Sequence, residues 1–296
     1  MGRPSAEDWE HVVDRDLLPL MGIGISSRPL PAQWPIDPEL LPDQAYEDLS
    51  EVVGRLGMAD IVAVPPAARM VDRLRYRSLY APLQVAAVGH RAVALWVRAL
   101  PAPGVRVQVP VGGIAAIETL AEGPQRLLTV TGKGSRLAVR YSRNGDAGVN
   151  EWIRRVRMRA AEDRSRVPAV PPARYGKGRE EFLLGEADGG AIVRWRSGLG
   201  FSRCTLALTS RELVVARSWP ALGCPWPRVR RTLYVPRQSI EGVQSQSRSL
   251  CVNSADTQVW IGLGSSRISS AASAWLRQLL GEPDRHDDDA RPLQAG

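Results

Sequence analysis

Two stretches decide how this chain is read. Val109-Pro110-Val111-Gly112-Gly113-Ile114-Ala115-Ala116-Ile117 and Val235-Pro236-Arg237-Gln238-Ser239-Ile240-Glu241-Gly242-Val243 share the pattern Val-Pro-x-x-x-Ile-x-x-Ile/Val, 126 residues apart. Downstream, Trp152-Ile153-Arg154-Arg155-Val156 is echoed by Trp275-Leu276-Arg277-Gln278-Leu279 at an offset of 123. Upstream, Gly89-His90-Arg91 between apolar runs is matched loosely by Ser210-Arg211-Glu212. Landmarks in one order at a near-constant offset argue for an internal duplication. Proline removes a ladder donor, so Val-Pro belongs at a strand edge or bend. The isoleucines that follow then re-enter the core. A helix-borne tryptophan is a large apolar plug for the open end of a curved sheet.

Period-two patterning spreads outward from these landmarks. In the first copy it predicts strands at 59–64, 83–88, 92–97, 105–109, 114–120, 126–131 and 136–141, then a helix at 149–160. The second copy repeats this with strands at 182–184, 191–196, 205–208, 212–217, 232–235, 240–244, 249–253 and 258–263, and a helix at 270–280. Before the first copy, Ser5-Ala6-Glu7-Asp8 is a capping-box pattern opening a short amphipathic helix over 6–18, with Trp9, Val12, Val13 and Leu17 on one face. Residues 21–42, rich in Pro and Gly, read as irregular connection. Asp43 is placed to cap a second helix bearing Tyr46, Leu49, Val52, Val53 and Leu56, with Gly57 at its stop. The expected organisation is a helical segment 1–57, a β-rich domain 58–161, a Pro-rich linker 162–181, a second β-rich domain 182–281 and a tail 282–296. The expected fold class is mainly β with α.

Charge is divided unevenly. Residues 1–66 hold four Arg and twelve acids, residues 67–282 hold 33 basic and 15 acidic residues, and 283–296 hold two Arg and four Asp; −8, +18 and −2 sum to the chain's +8. Only Lys133 and Lys177 are lysines, so 37 of the 39 basic residues are arginine, whose forks bind carboxylates and phosphates in pairs of hydrogen bonds. A basic body of this kind attracts acidic proteins, anionic membrane surfaces or phosphates.

Catalytic and cofactor signals are absent. Cys204, Cys224 and Cys251 have no C-x-x-C spacing and are odd in number, against a disulfide framework or structural zinc and in keeping with a reducing cytoplasm. His11, His90 and His286 are far apart and form no metal-ligand motif. Gly132-Lys133 is followed by Gly134 rather than Ser or Thr, so no P-loop exists, and the Gly-x-Gly pairs lack the later glycine of a dinucleotide fingerprint. No stretch reaches the ~18–20 apolar residues of a membrane span, and the N-terminus lacks a signal-peptide pattern. No cofactor, metal or enzymatic activity is expected.

With strands, the run Leu208-Thr209-Ser210-Arg211-Glu212-Leu213-Val214-Val215, the run 235–243 and a last helix with Trp275 in place, the chain resembles bacterial PH-like domains in tandem, more closely over 182–281 than over 59–161. The resemblance implies two partly open antiparallel barrels or sandwiches, each closed by a C-terminal helix, and binding or scaffolding rather than catalysis. It also implies that basic residues flanking the first hairpin of a domain contact ligand. In the second copy these are Arg194, Arg196 and Arg203, with Leu199 and Phe201 at the glycine-rich tip. A second basic stretch, Arg228, Arg230 and Arg231, is expected in the next long loop, beside Trp219 and Trp226; Arg73, Arg75 and Arg77 form a weaker analogue near the first copy. The leading expectation is a cytoplasmic adaptor that docks a protein partner. The alternative is peripheral binding to anionic lipid at the inner face of the membrane. Non-specific nucleic-acid binding comes third, because no helix-turn-helix, zinc finger or aromatic RNA platform accompanies the charge.

Overall fold

The computed structural model describes residues 32, 34, 36–57, 60–64, 84–98, 103–162, 190–197, 202–221, 224–263 and 266–281. The expected helix at 6–18, the strand at 182–184, the linker beyond 162, the arginines at 73–77 and the tail lie outside them. Among the described residues the chain is mainly β, with fourteen strands in three antiparallel sheets.

The strands of the first copy are β1 (Ile61–Val64), β2 (Gln84–Val88), β3 (Ala92–Val97), β4 (Gly104–Pro110), β5 (Ile114–Glu122), β6 (Gln125–Gly132) and β7 (Ser135–Ser142), followed by helix α2 (Asp146–Glu162). Those of the second are β8 (Gly190–Ser197), β9 (Ser202–Thr209), β10 (Glu212–Ala221), β11 (Cys224–Pro236), β12 (Ile240–Gln246), β13 (Ser249–Ser254) and β14 (Thr257–Gly262), followed by α3 (Ser266–Leu280). Helix α1 (Asp43–Val53) precedes both.

The duplication is visible bond by bond. Both Val-Pro pairs lead into a single 3-10 turn, Val111–Gly113 and Arg237–Ser239. Val111 N donates to Arg91 O at 2.9 Å, and Arg237 N donates to Arg211 O at 2.8 Å. The bulge between Ile114 and Ala116 in β5 recurs between Ile240 and Gly242 in β12. Val88 pairs with Val93 as Leu208 pairs with Leu213, an offset of 120. The counterpart of Gly89-His90-Arg91 is therefore Thr209-Ser210-Arg211, one residue earlier than the sequence match placed it.

Burial refines the helices in the same way. In α2, Val149, Trp152, Ile153, Val156 and Ala160 are buried; in α3, Ser269, Ala272, Ser273 and Leu276 are. The same offset of 120 relates Trp152 to Ala272 and Val156 to Leu276. Trp275 is only partly buried against the second core. Leu276 is the residue seated fully there, because a helix advances its buried face by three or four positions at a time.

The sequence pattern did not indicate how the sheets join. Strands β7-β6-β5 of the first copy and β11-β10-β9-β8 of the second form one seven-stranded sheet, joined where β5 pairs with β11, from Ala121 opposite Arg230 to Ile117 opposite Tyr234. The two halves bury opposite faces. Ile117, Leu128, Val130, Leu137 and Val139 enter the first core with Trp152. Leu206, Leu208, Leu213, Val215, Leu233 and Val235 enter the second with Leu276. Neighbouring residues of a strand point to opposite faces, so each joining strand reaches across: Ala116 belongs to the second core, and Tyr234 packs on the first.

In the sheet β1-β2-β3-β4, strands β1 to β3 are buried on both sides. Its inner face (Val62, Val64, Ala86, Val88) lines the first core, and its outer face (Ile61, Ala63, Val85, Ala87, Trp96) is covered by Ala45, Leu49 and Val53 of α1. Helix α1 starts at Asp43 after Pro42, without a side-chain cap, and ends at Val53 with Gly54 at φ 88° as its C-cap, so the expected stop at Gly57 falls three residues late. Gly89 permits this docking: a Cβ there would sit 2.0 Å from Val53 O. Trp96 Nε1 donates to Asp48 Oδ2 at 3.0 Å, tying sheet to helix.

Candidate functional site

The basic residues singled out by sequence separate into two groups. Arg194 and Arg196 lie on β8 and Arg203 on β9, with Arg196 directly opposite Arg203 in the register. Of these three only the backbone is described, and Leu199 and Phe201 lie outside the described residues. The stretch 228–231 is not a loop. It lies inside the thirteen-residue β11, where Arg230 is opposite Ser218 and Arg231 opposite Arg217. A strand bonded to neighbours on both sides cannot be the mobile loop that the prolines and arginines suggested. Arg231 is paired within the chain: its Nε and Nη2 reach Glu118 Oε1 and Oε2 at 2.8 and 2.9 Å, a bidentate pair across the β5–β11 seam. Arg230 is exposed on the same strand.

The seam gathers further polar links between the copies. Arg157 of α2 pairs through Nε with Glu212 Oε2 at 3.1 Å, and its Nη2 meets Oε1. The same guanidinium lies 4.1 Å from the centre of the Tyr234 ring, within cation–π range. Gln238 donates to Ala160 O, and Ser254 Oγ donates to Ala115 O at 2.9 Å.

Beside these links lies a cleft of about 230 Å³, walled by Arg154, Arg157, Met158, Ala160 and Ala161 of α2, Ile117 of β5, Thr209, Arg211 and Glu212 at the β9–β10 turn, and Tyr234 and Pro236 of β11. Both copies build it. The turn is fixed from within: Thr209 Oγ1 accepts from Arg211 N at 3.2 Å and Glu212 N at 2.9 Å and donates to Glu212 O at 3.0 Å. Arg237, in the following 3-10 turn, donates to Thr209 O at 3.2 Å and to Leu279 O at 3.1 Å. Burial lowers the pKa of Arg237, yet two carbonyl acceptors favour its charged form. At the far wall Arg154 forks onto Glu151, whose pKa that ion pair lowers, and reaches Met158 Sδ at 3.2 Å. Three arginines thus face one lining carboxylate over an apolar floor.

The described thiols are buried. Desolvation pushes Cys204 up to about 11 and raises Cys251 as well, so both are held as thiols near neutral pH. Among the described residues no three His, Cys, Asp or Glu side chains converge as metal ligands, and no helix is long and apolar enough to cross a membrane.

Sequence reasoning flagged the landmarks 152–156 and 210–212, but not the cleft that Arg154, Arg211 and Glu212 help to line. A signal was present in Arg154, Arg157 and Met158, which share one face of α2 by helical spacing, flanking the buried stripe that includes Ile153 and Val156. No known protein family and no curated protein matches the chain.

Proposed function

We propose that this chain is a tandem PH-like protein acting as a non-enzymatic cytoplasmic scaffold that docks a protein partner. Support for the PH-like reading comes from the order of elements in each copy: four antiparallel strands, a 3-10 turn, three antiparallel strands and a helix. The observation that carries the scaffold reading is the shared seam. Pairing β5 with β11 and tying Glu118 to Arg231 and Arg157 to Glu212 makes a continuous surface from two repeats. A preorganised surface loses little entropy on binding, and the cleft is smaller than the ~300–1,000 Å³ of ordinary cofactor pockets. Its arginine, tyrosine and methionine are residue types enriched at protein interfaces.

A second reading, peripheral docking on anionic lipid, is favoured by the register that sets Arg196 opposite Arg203 near the end of the β8–β9 hairpin. The two part in one experiment. Full-length tagged protein is captured from its native cell at low and at high salt, with retained protein and lipid both analysed, and is sedimented separately with phosphatidylserine vesicles. The scaffold reading expects one protein in stoichiometric yield, cross-linked to residues flanking the seam, and no sedimentation. Sedimentation with vesicles and no stoichiometric protein would replace it with the lipid reading.

A further inference from the structure

We infer that the outward face of the sheet β12-β13-β14 binds a short, uncharged, proline-rich segment of a partner protein, which stacks on Trp260 and accepts hydrogen bonds from the side-chain amides around it. This rests on the scaffold reading and names a segment that the scaffold recognises.

Alternation defines the face. Val243, Leu250, Val252, Val259 and Ile261 enter the second core, so the residues between them point the other way. On that side Trp260 is opposite Cys251, which is opposite Gln244, and two residues along Asn253 is opposite Gln258. None of these side chains carries a charge near neutral pH. Ionisable side chains enter at the ends of the sheet, Glu241 and Asp256 at one and Arg248 at the other. Cys251 is buried, whereas Trp260 is 42% exposed, one of two large apolar side chains left open among the described residues.

The duplication supplies a control for that tryptophan. Ala138 is opposite Thr129 in the first copy as Trp260 is opposite Cys251 in the second, an offset of 122. The same offset turns Arg136 and Arg140 into Gln258 and Gly262, and Glu118 is replaced by Gln244. The fold accepts alanine at this place, so packing does not require an exposed indole there. The second copy also has no charge at three positions where the first is charged.

Size and charge then select the occupant. The strands hold 7, 6 and 6 residues, which makes a strip of about 20 by 14 Å, roughly 280 Å². A folded partner or a second copy needs ~800 Å² per side. A proline-rich segment arrives already extended, so it loses little entropy on a small surface. About six of its residues at ~3.1 Å each span the strip. Its backbone carbonyls have no partner within the segment, and Gln and Asn amides donate N–H groups. Its pyrrolidine rings offer an indole an apolar surface to cover. An uncharged face on a chain of net charge +8 is the wrong place for a phosphate or an acidic ligand.

The test is a displayed library of random octapeptides selected on the immobilised full chain. Selection should enrich proline. Synthesised winners should bind Trp260→Ala at least tenfold more weakly and Trp260→Phe with an intermediate loss, and affinity should change little between low and high salt. Gln258→Arg, which restores the first copy's residue, should weaken binding as well. Thermal unfolding midpoints check that the variants fold; Ala and Arg already stand at these positions in the first copy. The inference is overturned if the winners show no proline bias, if they bind Trp260→Ala as well as the parent, or if maltohexaose, rather than the peptides, binds the parent and is lost in Trp260→Ala. A native partner captured equally by the parent and by Trp260→Ala would leave the scaffold reading standing while this face is ruled out. Sedimentation with phosphatidylserine vesicles and no captured protein would remove the scaffold reading itself.

Discussion

Strands β5 and β12 occupy the same place in the two repeats, and their outer edges meet different fates. Both follow a Val-Pro turn and carry the same bulge. The outer edge of β5 receives β11, with Tyr234 opposite Ile117. At β12 the counterpart of Ile117 is Val243, and its carbonyl is taken instead by Arg277 of α3, through Nε at 2.8 Å. By the offset of 120, Arg277 is the counterpart of Arg157, which in the first repeat holds the incoming strand through Glu212 and Tyr234. The same arginine thus fastens a strand in one repeat and caps an edge carbonyl in the other. Sequence around the second edge agrees: Glu118, which fixes Arg231, corresponds to Gln244, and the edge strand β4 carries Gln108 and Val105 where β11 carries Tyr234 and Arg231. A head-to-tail pairing that recurred between molecules would grow without closing. Covering an edge with a helix and a charge is a recognised way to stop that.

The comparison breaks most visibly in the helices. Trp152→Ala should cost ~3–5 kcal/mol and Leu276→Ala ~2–5 kcal/mol, with Trp275→Ala below both, since Trp275 is only partly buried. Urea unfolding midpoints decide the order; a Trp275 effect equal to that of Trp152 would mean that the offset of 123, not 120, relates the helices.

At the seam, Glu212→Gln should cost about 2–3 kcal/mol, short of the ~3–5 kcal/mol for breaking a fully buried pair, because the Arg157 and Glu212 side chains retain 17% and 11% exposure. Adding Arg157→Met should recover part of that loss, and a double-mutant cycle measures it. Simple additivity would show that the two residues do not act as a pair.

Arg277→Ala should cost only about 1 kcal/mol, the value of one hydrogen bond, but should change association. Light scattering at rising protein concentration is expected to detect growing species in the variant and none in the parent. A variant that stays the parent's size at every concentration would show that the body of α3, rather than its arginine, guards β12.

A smaller effect separates the two cores chemically. Cys204 stands where the first repeat has Gln84. Burial pushes its thiol from 9.0 up to about 11, so the unfolded chain ionises first as pH rises. Stability should therefore be unaffected below neutrality and begin to fall as pH approaches 9.0, the ordinary thiol value, with a loss of only about a few tenths of a kcal/mol between pH 8 and 9. Iodoacetamide at pH 8 should label Cys204 in urea and spare it in the native protein; rapid native labelling would contradict its burial. Smallest of all is Lys133→Ala. Its 2.6 Å pair with Asp256 links the repeats, but both side chains are mostly exposed, and such pairs contribute little; the unfolding midpoint should not move measurably.

The chain itself carried the duplication, the strand and helix types and most strand positions. Those follow from local causes: alternation of apolar residues, glycine at turns such as 132–134, and proline at the two bends. Helix α1 was legible for the same reason, although Gly54, not Gly57, ends it, because Val53 docks on the turn at Gly89 before the helix can run further. The candidate site was legible only in fragments. Arg231 was expected in a loop as a ligand-contacting residue; it lies in β11, and its partner Glu118 lies 113 residues away in sequence, where no local pattern could point to it.

What tertiary structure alone decided is which edge meets which. Ladder hydrogen bonds come from the backbone, which every residue supplies, so no residue pattern announces that β11, paired with β10 in its own repeat, will also pair with β5. Once it does, Tyr234 crosses into the first core, Arg157 acquires Glu212, and arginines of α2 and of the β9–β10 turn line one cleft. An arginine's role depends on the group at the far end of its side chain, and only the folded chain brings that group near.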